Sequence, residues 1–370
     1  MIYLPFFREE TTSDFPVGHG RLRLNRQEVA TPILWISYEF YSPHGLWKRV
    51  SNIDALLVNI HNIEDRKTLL DKIIATRDLK KAIEFDGHIM LDCGGIKFAK
   101  HNVTLDVKRT LSLGKLLGPE IIISPDYPIS PCNSTQENEL RIESTVQNMR
   151  KTIHTMRDSG TLVLPVVHGY SSDKVDHVLK SMSKIIDHID LIGLGSLVPL
   201  LTPFTLDKAR KVIDLIMYLR RKLPSALLHV FGMSSVLTMH LAFLSGADSI
   251  DSQSWIRSAG YGKIQIPGRG QLFVKKNRKY KYQQWSKELS MNSFDCDCPV
   301  CKENELDTLI RSKKARAIHN AYTLCSEASK AREMVERGEY VHFARDRLKN
   351  TVLFALFRHI QERVKKQSFV

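Results

Sequence analysis

The sequence predicts an α/β fold of the (β/α)8 TIM-barrel type. Short, almost continuously apolar runs recur through the first 255 residues, and each ends at Gly, Pro, Asp or Ser, as buried parallel strands do. Charged segments with a helical period lie between them. Eight such strands alternating with helices over about 250 residues match the size of a closed barrel.

The predicted elements follow in chain order. The strands cover residues 30–40, 54–60, 88–95, 120–128, 161–169, 191–200, 226–233 and 249–255. The helices between them cover residues 63–85, 139–159, 172–189 and 206–224. Ser171 or Ser172 and Thr205 are predicted N-caps, and Pro224 ends the helix before the seventh strand. The alternative is a doubly wound open sheet, which normally carries a Gly-rich phosphate turn after its first strand; none is present here.

The pattern changes after residue 255. Residues 258–272 are Gly-rich and predict a loop, and two further helices are predicted over 308–337 and 340–366. We therefore expect three units. The barrel covers 1–272, a basic loop with a small zinc-binding subdomain inserted near the last strand covers 273–320, and C-terminal helices that close the barrel cover 321–370.

The composition narrows the class of protein. Lys and Arg total 54 against 40 Asp and Glu, giving a net charge of +14, which favours a polyanionic partner. With 43% hydrophobic and 25% charged residues, wholesale disorder is excluded. Apolar stretches are shorter than the ~18 residues that span a bilayer, and the N-terminus does not resemble a signal peptide. We expect no membrane association and a cytoplasmic location.

Three of the six cysteines fall within six residues. Cys296, Cys298 and Cys301 have the C-x-C-x2-C spacing of ligands to one Zn²⁺, and His319 is the predicted fourth ligand. A closed Cys3His site leaves no open position, so this zinc is predicted to be structural. The alternative is three unrelated surface cysteines. The scattered Cys93, Cys132 and Cys325 are predicted to be core or near-core residues.

Polar residues stand at the predicted strand ends, where a barrel carries its active site. Three are carboxylates, Asp92, Asp126 and Asp251. Such a set could supply a nucleophile and a general acid/base for a glycosidic bond. The alternative is that these aspartates cap helices or bind backbone amides, and His168 taken alone is a structural histidine.

Residues 275–285 form a basic run interleaved with aromatic rings. Such a run could contact phosphates and stack on bases, and its alternative is a solvated loop. The nucleic-acid contacts are predicted at Lys275, Lys276, Arg278, Lys279, Tyr280 and Lys281.

Several motifs in this order resemble the guanine transglycosylase (TGT) family, which exchanges guanine in a nucleic acid for a 7-deazaguanine base. They are LDCGG (91–95), HVFGM (229–233), GADSIDSQSW (246–255), CDCPVC (296–301) and IHN (318–320). GLGSLVPLL (193–201) is similar to the archaeal-type branch. The resemblance covers most of the chain.

The resemblance implies roles for the strand-end residues. Asp251 would be the nucleophile that forms a covalent bond to the sugar, and Asp92 the general acid/base. Asp126 would accept hydrogen bonds from the guanine edge. The other residues implied to bind substrate are His168, Gly169, Gly193, Leu194, Gly195, Ser196 and Gly232. His168 stands where the family has Gln, Ile250 where it has Phe, and Trp255 where it has Tyr.

The closing helices end the sequence without the RNA-binding modules of archaeal tRNA enzymes. This resembles the DpdA-type DNA 7-deazaguanine transglycosylases, so the leading hypothesis is exchange of guanine in DNA for a base of the 7-cyano-7-deazaguanine class. The alternatives are a tRNA-guanine transglycosylase with the same chemistry, a hydrolytic glycosidase and a non-catalytic nucleic-acid-binding barrel. The partners implied are DNA or tRNA, the free 7-deazaguanine base, a companion ATPase or other modification-cluster proteins, and a second copy of the chain in a homodimer.

Overall fold

A computed structural model describes residues 5–8, 15–25, 27–40, 45–95, 106–233, 235–274, 296–303 and 306–367. Its main sheet has nine strands, all parallel, in the spatial order β8-β7-β6-β5-β4-β12-β11-β10-β9. The strands are β4 (Ile33–Tyr38), β5 (Ala55–Asn59), β6 (His88–Asp92), β7 (Ile121–Ile123), β8 (Leu162–Leu164), β9 (Val166–His168), β10 (Leu191–Gly195), β11 (Leu227–Val230) and β12 (Ser249–Ser252).

The two ends of this sheet are halves of one strand. Only Pro165 separates β8 from β9, and a proline has no backbone N–H to donate to a ladder. β8 pairs with β7, β9 pairs with β10, and the Pro165 carbonyl accepts a hydrogen bond from Gly193 N at 2.8 Å. Since β12 also pairs with β4, the sheet closes on itself. The (β/α)8 barrel is confirmed, and each of the eight predicted strands contains an observed one.

Helices connect and follow the strands. They are α1 (Leu46–Arg49), α2 (His61–Glu64), α3 (Lys67–Thr76), α4 (Leu79–Ile83), α5 (Val107–Leu117), α6 (Thr135–Met156), α7 (Ser172–Met182), α8 (Leu197–Leu200), α9 (Leu206–Lys222), α10 (Thr238–Leu244), α11 (Ser254–Gly260), α12 (Pro299–Glu303), α13 (Leu306–Arg311), α14 (Lys313–Glu336), α15 (Tyr340–Leu348) and α16 (Phe354–Gln367). Ser171 and Thr205 cap α7 and α9 as predicted, each accepting a hydrogen bond from the third residue beyond it.

Three of the predicted helices were wrong as single elements. Residues 63–85 form α2, α3 and α4, because Arg77 adopts a left-handed conformation that ends α3 and the Asp78 side chain then caps α4 through Lys81 N. Residues 308–337 are divided between α13 and α14, where the Ser312 side chain caps α14, and residues 340–366 are divided between α15 and α16. Hydrophobic periodicity continues across these breaks, so it could not locate them.

Side chains alternate between two cores along the barrel strands. One face packs against the helices, and the other forms a smaller cluster that includes Trp35, Leu57, Met90 and Val166. The smaller cluster also contains Phe6, Leu22 and Leu24 from an antiparallel sheet of β1 (Phe6–Arg8), β2 (Gly20–Leu24) and β3 (Gln27–Ala30). This sheet therefore packs on the barrel interior at the end where the strands begin.

The predicted loop over residues 258–272 was wrong. Its residues complete α11 and then form a hairpin of β13 (Lys263–Ile266) and β14 (Gly270–Phe273). Gly268 and Gly270 have φ of 70° and 89°, values that glycine adopts without strain and that allow the turn. Of the glycines that predicted a loop, Gly268 and Gly270 belong to the hairpin, Gly260 ends α11 and Gly262 precedes β13.

Cys132 is exposed, contrary to the core position predicted for it, whereas Cys93 and Cys325 are buried as expected. Cys132 lies in a turn just before α6, outside any strand or helix. Within the described ranges, no helix is both long and apolar enough to cross a membrane.

Candidate active site and zinc-binding group

The barrel's two-residue alternation brings the predicted site residues to one place. The smaller cluster contains every second residue of the barrel strands, and these residues point into the barrel. The same alternation places Asp92, His168, Gly195 and Asp251 on the inner face. Each lies at or near the carboxyl end of its strand. The interior is apolar at the end where the strands begin and polar at the end where they finish.

Asp92 is the most strongly perturbed carboxyl group of this mouth. Its Oδ2 accepts a hydrogen bond from Asn59 Nδ2 at 2.9 Å, and its Oδ1 accepts one from Gly94 N at 2.8 Å. Its pKa is raised from 3.8 to about 6, mainly by burial and next by the charge of Asp126; the charge of Asp251 also raises it, while the two hydrogen bonds lower it. A carboxyl group with this pKa can both give and take a proton near neutral pH.

Asp126 is buried beside an imidazole. His168 Nε2 lies 2.9 Å from Asp126 Oδ2, and His168 Nδ1 lies 3.1 Å from Ser196 Oγ. Ser196 Oγ also accepts a hydrogen bond from Ile129 N at 3.0 Å. Its hydroxyl hydrogen is then free to donate to His168 Nδ1, which leaves Nε2 as the protonated nitrogen that faces Asp126.

Asp251 has a similar neighbourhood on the other side of the mouth. Its Oδ1 lies 3.7 Å from Nε2 of His229, a fully buried residue. His229 Nδ1 contacts Ser249 Oγ at 2.9 Å, and Trp35 Nε1 donates to that same oxygen at 2.8 Å. A network of indole, hydroxyl and imidazole thus ends 3.7 Å from this carboxylate.

Close packing explains the glycines of the mouth. A Cβ on Gly195 would lie 2.6 Å from His168 Nδ1, and one on Gly193 would lie 2.8 Å from a ring carbon of Phe231. A Cβ on Gly169 would lie 2.4 Å from Val175. Gly232 has a φ of 86°. The imidazole that faces Asp126 therefore requires a residue without a side chain at position 195.

The predicted zinc ligands come together. The Sγ atoms of Cys296, Cys298 and Cys301 lie 3.4, 3.5 and 3.4 Å from His319 Nδ1, and all four ligand atoms lie within 4.8 Å of one another. In a tetrahedral zinc site, sulfur and nitrogen ligands are about 3.5 Å apart. The residues thus fit a Zn²⁺ ion.

A second set of contacts orients these ligands. His319 Nε2 lies 3.1 Å from the carbonyl oxygen of Gln265, so Nε2 carries the proton and Nδ1, which faces the three thiols, presents the lone pair that would bind a metal. Hydrogen bonds among the three cysteines lower the pKa of the Cys298 thiol and raise that of Cys301, so Cys298 is the thiol that ionises first in this group. All four ligands are buried or half-buried.

Three residues to which the sequence motifs gave no individual role lie beside Asp92 and Asp251. Asn59 is the register partner of Asp92 on the adjacent strand, and Ser249 and His229 are register partners near Asp251. Asn59 lies near the end of a predicted strand, so the search for polar residues at strand ends that selected Asp92 could also have found Asn59. Ser249 has no such signal, because its role depends on its neighbours across the sheet. The basic run 275–285, with its six predicted nucleic-acid contacts, lies outside the described residues.

Comparisons with known proteins agree with this architecture. Residues 18–352 match the family model described as Queuine tRNA-ribosyltransferase. The tRNA-guanine(15) transglycosylase of Methanosarcina mazei is 23% identical over 337 residues, covering 89% of this chain and 64% of that protein. Those of Pyrococcus abyssi and Korarchaeum cryptofilum are 22% and 26% identical, covering 86% and 78% of this chain but 52% and 47% of those proteins. The chain spans about half to two thirds of the length of these relatives.

Proposed function

The chain belongs to the queuine tRNA-ribosyltransferase family, and from that premise we propose that it is a pentosyltransferase that exchanges guanine in tRNA for a 7-deazaguanine base. The observation that carries the proposal is Asp92, a carboxyl group with a pKa of about 6 that two further carboxylates flank in the barrel mouth. The relatives named tRNA-guanine(15) transglycosylases favour tRNA over the DNA substrate that the sequence suggested first.

In the first half of the reaction, Asp251 is the nucleophile. A carboxylate oxygen forms a bond to the anomeric carbon of the ribose while the bond from that carbon to guanine breaks, and the bonding electron pair leaves with guanine. Protonated Asp92 gives its proton to the departing base. The products are an ester between sugar and Asp251, neutral guanine and the Asp92 carboxylate.

The second half reverses these steps with a different base. Because the charge of Asp251 is one cause of the raised pKa of Asp92, forming the ester removes that contribution and favours the Asp92 carboxylate. This carboxylate takes the ring proton of the incoming base, whose nitrogen attacks the anomeric carbon and releases Asp251. Protons and charges return to their starting positions.

Asp126 is the proposed acceptor for the N–H groups of the base. Its pairing with His168 changes what residue 168 can do, because both ring nitrogens already face Asp126 and Ser196. His168 therefore supports Asp126 and does not itself contact the base, unlike the Gln of the resemblance. The backbone of residues 193–196 and Gly232 is proposed to line the remaining pocket.

The zinc is proposed to be structural. Cys296, Cys298, Cys301 and His319 would hold it, and four protein ligands leave no position for a water or substrate. The net charge of +14 supports a polyanionic substrate. The target guanine must leave its stack to reach the barrel mouth, so flipping of the base or a single-stranded loop is required.

The test is incorporation of labelled guanine into unmodified tRNA and, in parallel, into single- and double-stranded DNA. We expect incorporation into tRNA, and an Asp251→Ala variant that forms no covalent adduct with it. Incorporation into DNA alone would identify DNA as the polymer. Guanine released without an acceptor base would indicate a hydrolase, and no reaction with either polymer would favour a non-catalytic barrel.

A further inference from the structure

Two buried polar atoms face each other without a hydrogen bond in the barrel mouth. Within the described part of the chain, His229 Nε2 and Asp251 Oδ1 have no hydrogen-bond partner, and each is shielded from solvent. They lie 3.7 Å apart. An unpaired polar atom in such a place is destabilising, so each of these two is the natural partner of the other.

The surrounding donors determine which nitrogen of His229 carries the proton. An indole N–H can only donate, so Ser249 Oγ accepts from Trp35 and keeps its own hydrogen to donate. Among the described residues, the acceptor that contacts this hydroxyl is His229 Nδ1, at 2.9 Å. A ring nitrogen that accepts a hydrogen bond is unprotonated, so the proton is on Nε2, directed at Asp251.

The exposure of Asp251 separates its two carboxylate oxygens. The side chain is 18% exposed, yet its Oδ1 is shielded from solvent. The exposed part of the side chain therefore excludes Oδ1, and the oxygen available to a sugar in the mouth is Oδ2.

We propose that His229 is a positioning residue for the nucleophile: as its Nε2–H tautomer it holds Asp251 Oδ1 and leaves Oδ2 to attack the sugar. This inference rests on the proposed function. The 3.7 Å distance closes to a hydrogen bond when substrate occupies the mouth, as catalytic hydrogen bonds that are long in the free enzyme often do. The bonding electrons and protons of the exchange reaction are unchanged by this contact.

A similar arrangement of histidine and serine lies beside Asp126. A histidine on an inward position of one strand contacts a serine on or just after the next strand, as His229 does with Ser249 and His168 does with Ser196. In both cases a fixed N–H donor, from Trp35 or from the Ile129 backbone, occupies the serine oxygen. Both imidazoles consequently place a protonated Nε2 beside an aspartate, and neither contact is a hydrogen bond in the free protein.

The kinetic test compares three substitutions with buried controls in the tRNA guanine-exchange assay. His229→Leu removes the donor, and we expect kcat to fall about 10- to 100-fold with little change in KM for tRNA or base. His229→Gln keeps an N–H donor and should recover much of that loss. Ser249→Ala removes the hydroxyl that keeps His229 Nδ1 unprotonated, and it should lower kcat less than His229→Leu. Ser245→Ala and His240→Gln alter equally buried residues away from the mouth and should leave kcat unchanged.

A spectroscopic test does not depend on activity. In protein labelled with ¹⁵N-histidine, the signal lost in His229→Gln should show a protonated Nε2 and an unprotonated Nδ1, and Ser249→Ala should change that pattern. A proton on Nδ1 in the wild-type protein, or a His229→Leu variant with wild-type kcat, would overturn the inference. If the wild-type protein exchanges guanine in neither tRNA nor DNA, the proposed function fails, while the NMR spectrum still decides the tautomer.

Discussion

At the scale of single residues, the proposed acid/base role of Asp92 comes at a cost in stability. Its pKa of about 6 means that the folded protein binds the Asp92 proton more tightly than the unfolded chain does. The contribution of this group to stability is therefore complete below pH 3.8 and is lost as pH rises through 6. At neutral pH the carboxylate is partly buried beside two like charges.

Asp92→Asn should accordingly have opposite effects on activity and stability. We expect exchange to fall about 100- to 10,000-fold. The free energy of unfolding at pH 8 should rise by about 1–3 kcal/mol, because the variant does not bury this charge, and the difference should vanish below pH 4. Thermal unfolding at several pH values measures this, with exposed Asp158→Asn as the control. A variant less stable than wild type at pH 8 would contradict the prediction.

A single methyl group added at position 195 would test whether His168 supports Asp126. Gly195→Ala would place a Cβ 2.6 Å from His168 Nδ1, so the imidazole must move away from Asp126. We expect KM for the incoming base to rise at least about tenfold, by analogy with the loss of a hydrogen bond to a charged group. Gly260→Ala is the matched control, since a Cβ there would lie 3.8 Å from Lys313 Cε, an ordinary van der Waals contact. Unchanged affinity for the base in Gly195→Ala would show that His168 plays no part in base recognition.

Among the elements, the proposed zinc-binding group connects the chain beyond the barrel to the strand that carries Asp251, the proposed nucleophile. The Gln265 carbonyl faces the zinc-ligand histidine, and the Gln265 side chain donates to Ser254 Oγ, which contacts Ser252 Oγ at 2.9 Å. Gln265 Oε1 also accepts from Val236 N. The hairpin that contains Gln265 is therefore a structural link between α14 and the ends of β11 and β12.

Loss of the zinc should destabilise these elements more than it alters the chemistry. We expect one Zn²⁺ per chain, and we expect Cys298→Ala to lose it together with more than about 4 kcal/mol of unfolding free energy. Cys325→Ala, a buried cysteine outside the ligand group, should keep the metal and lose about 1 kcal/mol. Metal analysis and thermal unfolding measure both. Well under one zinc in the wild-type protein would refute the ligand assignment.

For the whole molecule, an ion pair at the closed end of the barrel joins three parts of the chain. Arg220 of α9 donates to Asp248, which also accepts from Leu228 N at 2.8 Å and lies 3.6 Å from Arg8 of β1. Arg220 also donates to the carbonyls of Gly246, Leu223, Pro224 and Ala226. Burial lowers the pKa of Arg220 to about 10, so it stays charged at neutral pH.

Arg220→Met should lower the free energy of unfolding by about 3–5 kcal/mol, because Asp248 and several carbonyls lose their main partner. Arg210→Met breaks an exposed pair with Asp207 and should cost no more than about 1 kcal/mol. Chemical denaturation measures both. The folded fraction of Arg220→Met should keep wild-type kcat, since the pair lies at the opposite end of the barrel from the carboxylates. A loss below 1 kcal/mol would show that Arg8 compensates.

The sequence by itself determined the barrel, and it predicted both the four side chains that come together as a possible zinc site and the three carboxylates of the barrel mouth. Apolar runs of strand length and the spacing of Cys296, Cys298 and Cys301 are local features, because they involve residues that are close together in the sequence. Such features can be recognised without a structure. The same signals missed the breaks in residues 63–85 and the hairpin over 263–273, where one capping residue or one glycine turn overrides a periodic pattern. They also placed Cys132 wrongly, since its exposure depends on packing.

Only the tertiary structure decided how the carboxylates are supported. Asn59 and Asp92 are 33 residues apart, and Trp35 and Ser249 are 214 apart, yet each pair shares a hydrogen bond. Closure of the barrel brings such residues together, and no spacing along the chain records it. The raised pKa of Asp92 and the tautomers of His168 and His229 follow from these contacts. Their physical basis is that burial, charge and hydrogen bonding act through space.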